Sequence, residues 1–261
     1  MLGHQSASVS TITTPEIGIQ FKYYFFIVSL FAGTWLIANI AAIKLVSIFS
    51  ITLTGGFIIF PFTTLFASVL VEVYGYKNAR QALWAGFTLN IMFVIFTHLV
   101  NMMPPSPHWR LDQEFNKILI PETRIILASL FSFCTSMFFN SMLMTKMKIK
   151  SQGKSLIKRI LVSNSISLFI DITFFLTLAF YGSMPDDALF KLISVAYLKK
   201  ITAVIILFPL TCYLISLLKK KECVDIYDFN TSLNPFSLDN VYELNSSSNN
   251  ISSKRTSHVT H

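Results

Sequence analysis

The residues able to do chemistry in this chain are few, and their spacing is helical. Asn164, Ser167 and Asp171 stand at i, i+3 and i+7, so they share one face of a helix. Thr64, Ser68 and Glu72 follow one another at i+4 steps, and Tyr197, Lys200, Val204 and Thr211 make a third stripe. All three stripes lie inside apolar runs. An ionisable group in hydrocarbon costs roughly 2.5–3.5 kcal/mol on insertion scales, so it turns toward a protein interior or a substrate path. Asp171 therefore has two readings: a carboxylate that faces a ligand, or one half of a structural ion pair with Lys200. Glu72 has a third, because it sits nearer the end of its run and could snorkel to interfacial water. Asn39, one turn after Trp35, and Asn90 polarise two further runs. Each serves either as a ligand contact or as interhelical glue worth about 0.6–2 kcal/mol.

No pattern for bond-making accompanies these groups. The sequence lacks G-x-S-x-G and H-E-x-x-H, and its three cysteines, Cys134, Cys212 and Cys223, form no C-x-x-C and have no histidine beside them. The chain reads as a non-enzyme that needs no metal or cofactor.

Composition says what surrounds the polar stripes. Of 261 residues, 53% are apolar and only 13% charged, against about 25% charged in an ordinary soluble domain. Mean hydropathy is +0.59, so a membrane protein is expected, with the lipid bilayer as its first partner. The net charge of +8 raises nucleic-acid binding as an alternative. The basic residues, however, fall in the connections between apolar runs, which makes them a topology signal.

About 20 apolar residues span a bilayer core. Six stretches qualify, at residues 21–43, 57–76, 81–100, 124–143, 160–181 and 192–218. None alternates apolar with polar as a membrane strand would, so the predicted fold is all-α with six transmembrane helices. Lys77 and Arg80 follow the second stretch. Lys146, Lys148, Lys150, Lys154, Lys158 and Arg159 lie between the fourth and fifth, and Lys219, Lys220 and Lys221 follow the sixth. The third and fifth connections mix both signs. The positive-inside rule then puts the basic connections and both termini in the cytoplasm. No cleavable signal peptide is read in residues 1–20, so the first helix directs insertion. That segment and residues 219–261, which are polar and Ser/Thr/Asn-rich, are expected to be disordered around a six-helix membrane core at 21–218. The proline-rich connection at 101–121 is expected to be an outer loop with a short interfacial helix around 109–120.

One stretch has a recognisable signature. Glu72-Val-Tyr-Gly-Tyr-Lys-Asn-Ala-Arg80 follows Phe60-Pro-Phe-Thr-Thr, and it resembles the second-helix signature of the queuosine precursor transporters. The likeness extends over roughly 21–218. It takes in Ala38-Asn39, Lys44, Gly75, Ala128-Ser129-Leu130, Ser163-Asn164, Asp171, Tyr197, Lys200 and Pro209. One departure is Ser68, where members of that family usually carry an aspartate one turn before Glu72. It bears on substrate preference and energetics.

The resemblance implies an inner-membrane importer of 7-deazaguanines such as preQ0 and preQ1, with an architecture similar to the vitamin-binding subunits of energy-coupling-factor transporters. A guanine-like ring presents an N–H beside an amino group, and a carboxylate accepts both in parallel charge-assisted hydrogen bonds. On that reading Asp171 or Glu72 receives the edge. Asn39, Asn90 and Asn164 satisfy the remaining polar atoms, and Lys200 holds the acid ionised. A carrier or vitamin-binding subunit for another small planar solute is the alternative. Proton coupling and a separate ATPase module both stay open as energy source, as does a homo-oligomer.

Overall fold

In a computed structural model of the chain, residues 21–42, 44–48, 51–119, 123–182, 185–224, 226, 228 and 233–236 are described. The expected disordered segment 1–20 lies outside them, as does most of the polar tail.

Long helices dominate because a chain without water around it must pair its own backbone N–H and C=O groups. Helix α1 spans Tyr24–Ala42, and α2 spans Gly56–Asn101. Short α3 (Asp112–Leu119) precedes α4 (Thr123–Lys150), α5 (Leu156–Phe180) and α6 (Asp186–Glu222). Five of the six are long and apolar enough to cross a membrane. Their apolar residues face all round, and large side chains such as Phe25, Ile206 and Phe169 stand exposed, as lipid contact requires. The chain is thus a polytopic all-α membrane protein.

Helix α2 accounts for two of the predicted spans. At 1.5 Å per residue, Gly56 and Asn90 would stand about 51 Å apart on a straight helix. Both instead touch the same stretch of α1. A Cβ on Gly56 would lie 2.6 Å from the carbonyl oxygen of Ala38, and Asn90 Oδ1 is 2.7 Å from Asn39 Nδ2. The helix therefore doubles back, and it does so at Gly75, whose φ of 80° and ψ of 170° belong to glycine alone. The predicted spans 57–76 and 81–100 leave a short connection at 77–80. The structure makes the reversal with one glycine, and helix resumes on either side.

Two other features were not anticipated. Leu45–Ile48 (β1) and Ile51–Thr54 (β2) form a small antiparallel hairpin between α1 and α2, with Leu45 opposite Thr54. Its β-branched composition suits a strand. Helix α6 also runs four residues past its expected end at 218, into the lysine cluster, where three cations favourably meet the negative end of the helix dipole. Beyond it, in a stretch expected to be disordered, Ile226 and Asp228 are buried.

Alternate helix ends gather on one face. The carboxylate of Glu222 accepts the N–H groups of Lys22 and Tyr23 at 2.9 and 2.7 Å and the Tyr74 hydroxyl at 3.1 Å. The start of α1, the Gly75 reversal and the end of α6 are thereby tied together. Asp228 Oδ2 accepts the N–H of Tyr76 at 2.9 Å, and the carbonyls of Leu233, Asn234 and Pro235 accept Tyr76 Oη, Arg80 Nη1 and Trp84 Nε1. Asp228 and residues 233–235 thus lie along the reversal like a strap.

Candidate functional site

Asp171 and Lys200 meet inside the bundle. Lys200 Nζ lies 2.9 Å from Asp171 Oδ2, and Ser132 of α4 donates to Oδ1 at 3.2 Å. The carboxylate is buried while the lysine remains partly open. Lys200 Nζ also stands 4.2 Å from the ring centre of Phe60, a cation–π contact. Of the two adjacent lysines on α6, Lys200 turns inward, as its stripe with Tyr197 and Val204 suggested.

An aromatic series leads away from this pair. The Phe60 ring is 6.1 Å from Phe133, and Phe133 is 4.2 Å from Trp35. Trp35 rests on Gly86, where a Cβ would come within 2.8 Å of its ring. One turn beyond each, Asn39 Nδ2 donates to Asn90 Oδ1 at 2.7 Å, and Asn90 Nδ2 donates to the Gly86 carbonyl at 2.8 Å. Aromatic faces thus link the charged pair to the amide pair. The combination suits a flat, polar molecule, which needs faces to stack on and edges to bond.

Asn164 lies deeper, with Nδ2 3.4 Å from Ser68 Oγ. Ser68 in turn donates to the Thr64 carbonyl, and Ser167 to that of Ser163. Asn164, Ser68 and Ser167 are all buried.

Glu72 is placed differently from Asp171. It is wholly buried and does not snorkel. Its Oε1 takes Arg159 Nη2 at 2.7 Å and Lys219 Nζ at 2.7 Å, with Lys148 Nζ at 3.7 Å. Lys148 also donates to the carbonyls of Glu72 and Ile226. One carboxylate therefore joins the first arm of α2 to α4, α5 and α6 at the face where the basic connections gather. Four of the six candidate binding residues, Asn39, Asn90, Asp171 and Lys200, belong to the aromatic region. Asn164 sits between that region and Glu72, which forms the clamp at its end.

Arg159, Lys148 and Lys219 escaped sequence reasoning because all three looked like loop charges. A signal existed for Arg159: Arg159, Ser163, Ser167 and Asp171 run at i+4 along one buried face of α5. Phe60, Phe133 and Ser132 were not distinguishable among so many Phe and Ser residues. Among the described residues, no three His, Cys, Asp or Glu side chains gather as metal ligands.

A bundle of apolar helices around buried ion pairs and stacked aromatics is compatible with a membrane transporter of small solutes. Residues 54–214 match the family described as "Putative vitamin uptake transporter". The chain belongs to that family. It is also 26% identical over 173 residues to a protein of Bacillus subtilis (strain 168) named "Probable queuosine precursor transporter", a match covering 66% of this chain and 76% of the relative. No solved structure matches at a significant level.

Proposed function

We propose that this protein imports 7-deazaguanine precursors of queuosine, preQ0 or preQ1, across a bacterial inner membrane. The observation that carries the reading is the buried carboxylate of Asp171, held 2.9 Å from Lys200 beside the Phe60 face. A guanine-like edge offers two parallel donors to that carboxylate, and Lys200 would give up one oxygen as the ring arrives. The ring would stack in the series Phe60, Phe133 and Trp35, with Asn39 and Asn90 parting to bond its far side. Because these groups now bond one another, substrate entry exchanges internal partners for ligand partners and leaves no polar atom bare.

The positive-inside rule favours a cytoplasmic position for the basic face, which holds the start of α1, the Glu72 clamp and the end of α6. The reading is supported by family membership and by the name of the Bacillus relative. The test is complementation. Cells unable to make queuosine, supplied with limiting preQ1, are expected to recover queuosine in their tRNA only when this protein is expressed. Equal recovery with and without it would reject the assignment.

A further inference from the structure

Asn140 is wholly buried, yet neither its Nδ2 nor its Oδ1 has a hydrogen-bond partner among the described residues. Its neighbours in the bundle have solved the same problem locally. Ser136 donates to the Phe133 carbonyl, Ser68 to that of Thr64, and Asn90 to that of Gly86. A buried amide with both ends unmet is rare in folded proteins and calls for a partner not yet present.

The helices say where this amide points. Helix α4 is fastened to α5 at Ser132–Asp171, and at Lys148 it meets Glu72 of α2. Asn140 is eight residues from each fastening, about 12 Å along the axis and about 80° around it. It therefore bisects the directions of α5 and α2 and faces the seam between them. Along that seam, between Asp171 and the clamp, Asn164 lies five residues from Arg159 and Ser68 four from Glu72, and the two meet through a long 3.4 Å bond.

The geometry points to Asn140 as a ligand-binding residue at a second station, between Asp171 and the Glu72 clamp. A carboxamide carries one donor side and one acceptor side, so it matches a planar solute presenting the reverse pair, such as the lactam C=O and N–H of a guanine-type ring or the amidine edge of an adenine-type one. Asp171 accepts only. A solute passing from Asp171 to Asn140 is read first for its donors and then for a paired donor and acceptor. This inference rests on the transport reading above for the identity of the solute.

The test uses the full chain in lipid nanodiscs, with 7-deazaguanine as probe and Asn140→Leu as a near-isosteric variant. A residue kept for a ligand destabilises the empty protein, so Asn140→Leu is expected to melt at the same temperature or higher while binding 7-deazaguanine about tenfold more weakly. Asn140→Asp, which keeps the shape but exchanges the two N–H donors for the single O–H of a neutral buried carboxyl, is expected to weaken binding similarly. Wild-type affinity in both variants would overturn the proposal, and so would a lower melting temperature for the empty Asn140→Leu protein, which would mark Asn140 as structural. If the wild type binds no 7-deazaguanine, the transport reading fails, and the melting temperatures alone still decide whether Asn140 is held for a ligand.

Discussion

Arg159 Nη2 lies 2.7 Å from Oε1 of Glu72, and neither side chain reaches solvent. Removing one member of such a pair strands the other charge in a medium that cannot solvate it, at about 3–5 kcal/mol. Glu72→Leu strands the buried Arg159 and Lys148 and is expected to lower stability by that amount, read from unfolding in detergent. Arg159→Met is expected to cost less, since Lys219 still meets Oε1 at 2.7 Å. The two costs are separable from transport because they are measured without substrate.

Gly75 carries the reversal of α2 in a backbone conformation that other residues avoid. Gly75→Ala should cost about 1–3 kcal/mol and lower the yield of monodisperse protein from membranes. An Ala variant that purifies and melts like the wild type would mean that the reversal does not depend on this φ.

Gly86 gives Trp35 its seat. Gly86→Ala would set a Cβ 2.8 Å from the Trp35 ring and push it toward Phe133, whose ring centre is only 4.2 Å away. Since Trp35 is placed in the stacking series, the expected effect is a severalfold rise in KM for precursor uptake with membrane levels preserved. Transport kinetics in whole cells, normalised to protein in the membrane, measure it.

Asp228 fastens the strap to the reversal by accepting the Tyr76 N–H at 2.9 Å. Asp228→Ala leaves that buried N–H without its acceptor, a loss of about 1–3 kcal/mol. Faster cleavage by a protease added to inside-out vesicles, around residues 224–236, is the expected readout.

Much of this arrangement was legible before the structure. Apolar run lengths located the long helices, and the i, i+3, i+7 spacing brought Asn164, Ser167 and Asp171 to one buried face of α5. The inward turn of Lys200 followed from its stripe. Partners across helices were a different matter. Periodicity within a run fixes which side of a helix a residue faces, but not which neighbour stands opposite, so the joining of Glu72 to Arg159 and Lys219 could not be read. Basic residues near helix ends carry two meanings, topology and ion pairing, and only packing separates them. The strap was invisible for a similar reason: its polar composition promised too little burial, and besides Asp228 its hold comes from main-chain carbonyls, which no composition reveals.

The central claim is that the carboxylate of Asp171 receives the substrate, with Lys200 as the partner it leaves. Uptake of labelled preQ1 into proteoliposomes tests it most directly, comparing wild type with Asp171→Asn at matched reconstitution. An amide keeps the shape but loses the charge that makes both hydrogen bonds strong, so uptake is expected to fall at least about tenfold. Asp171→Asn proteoliposomes that fill at the wild-type rate would contradict the account.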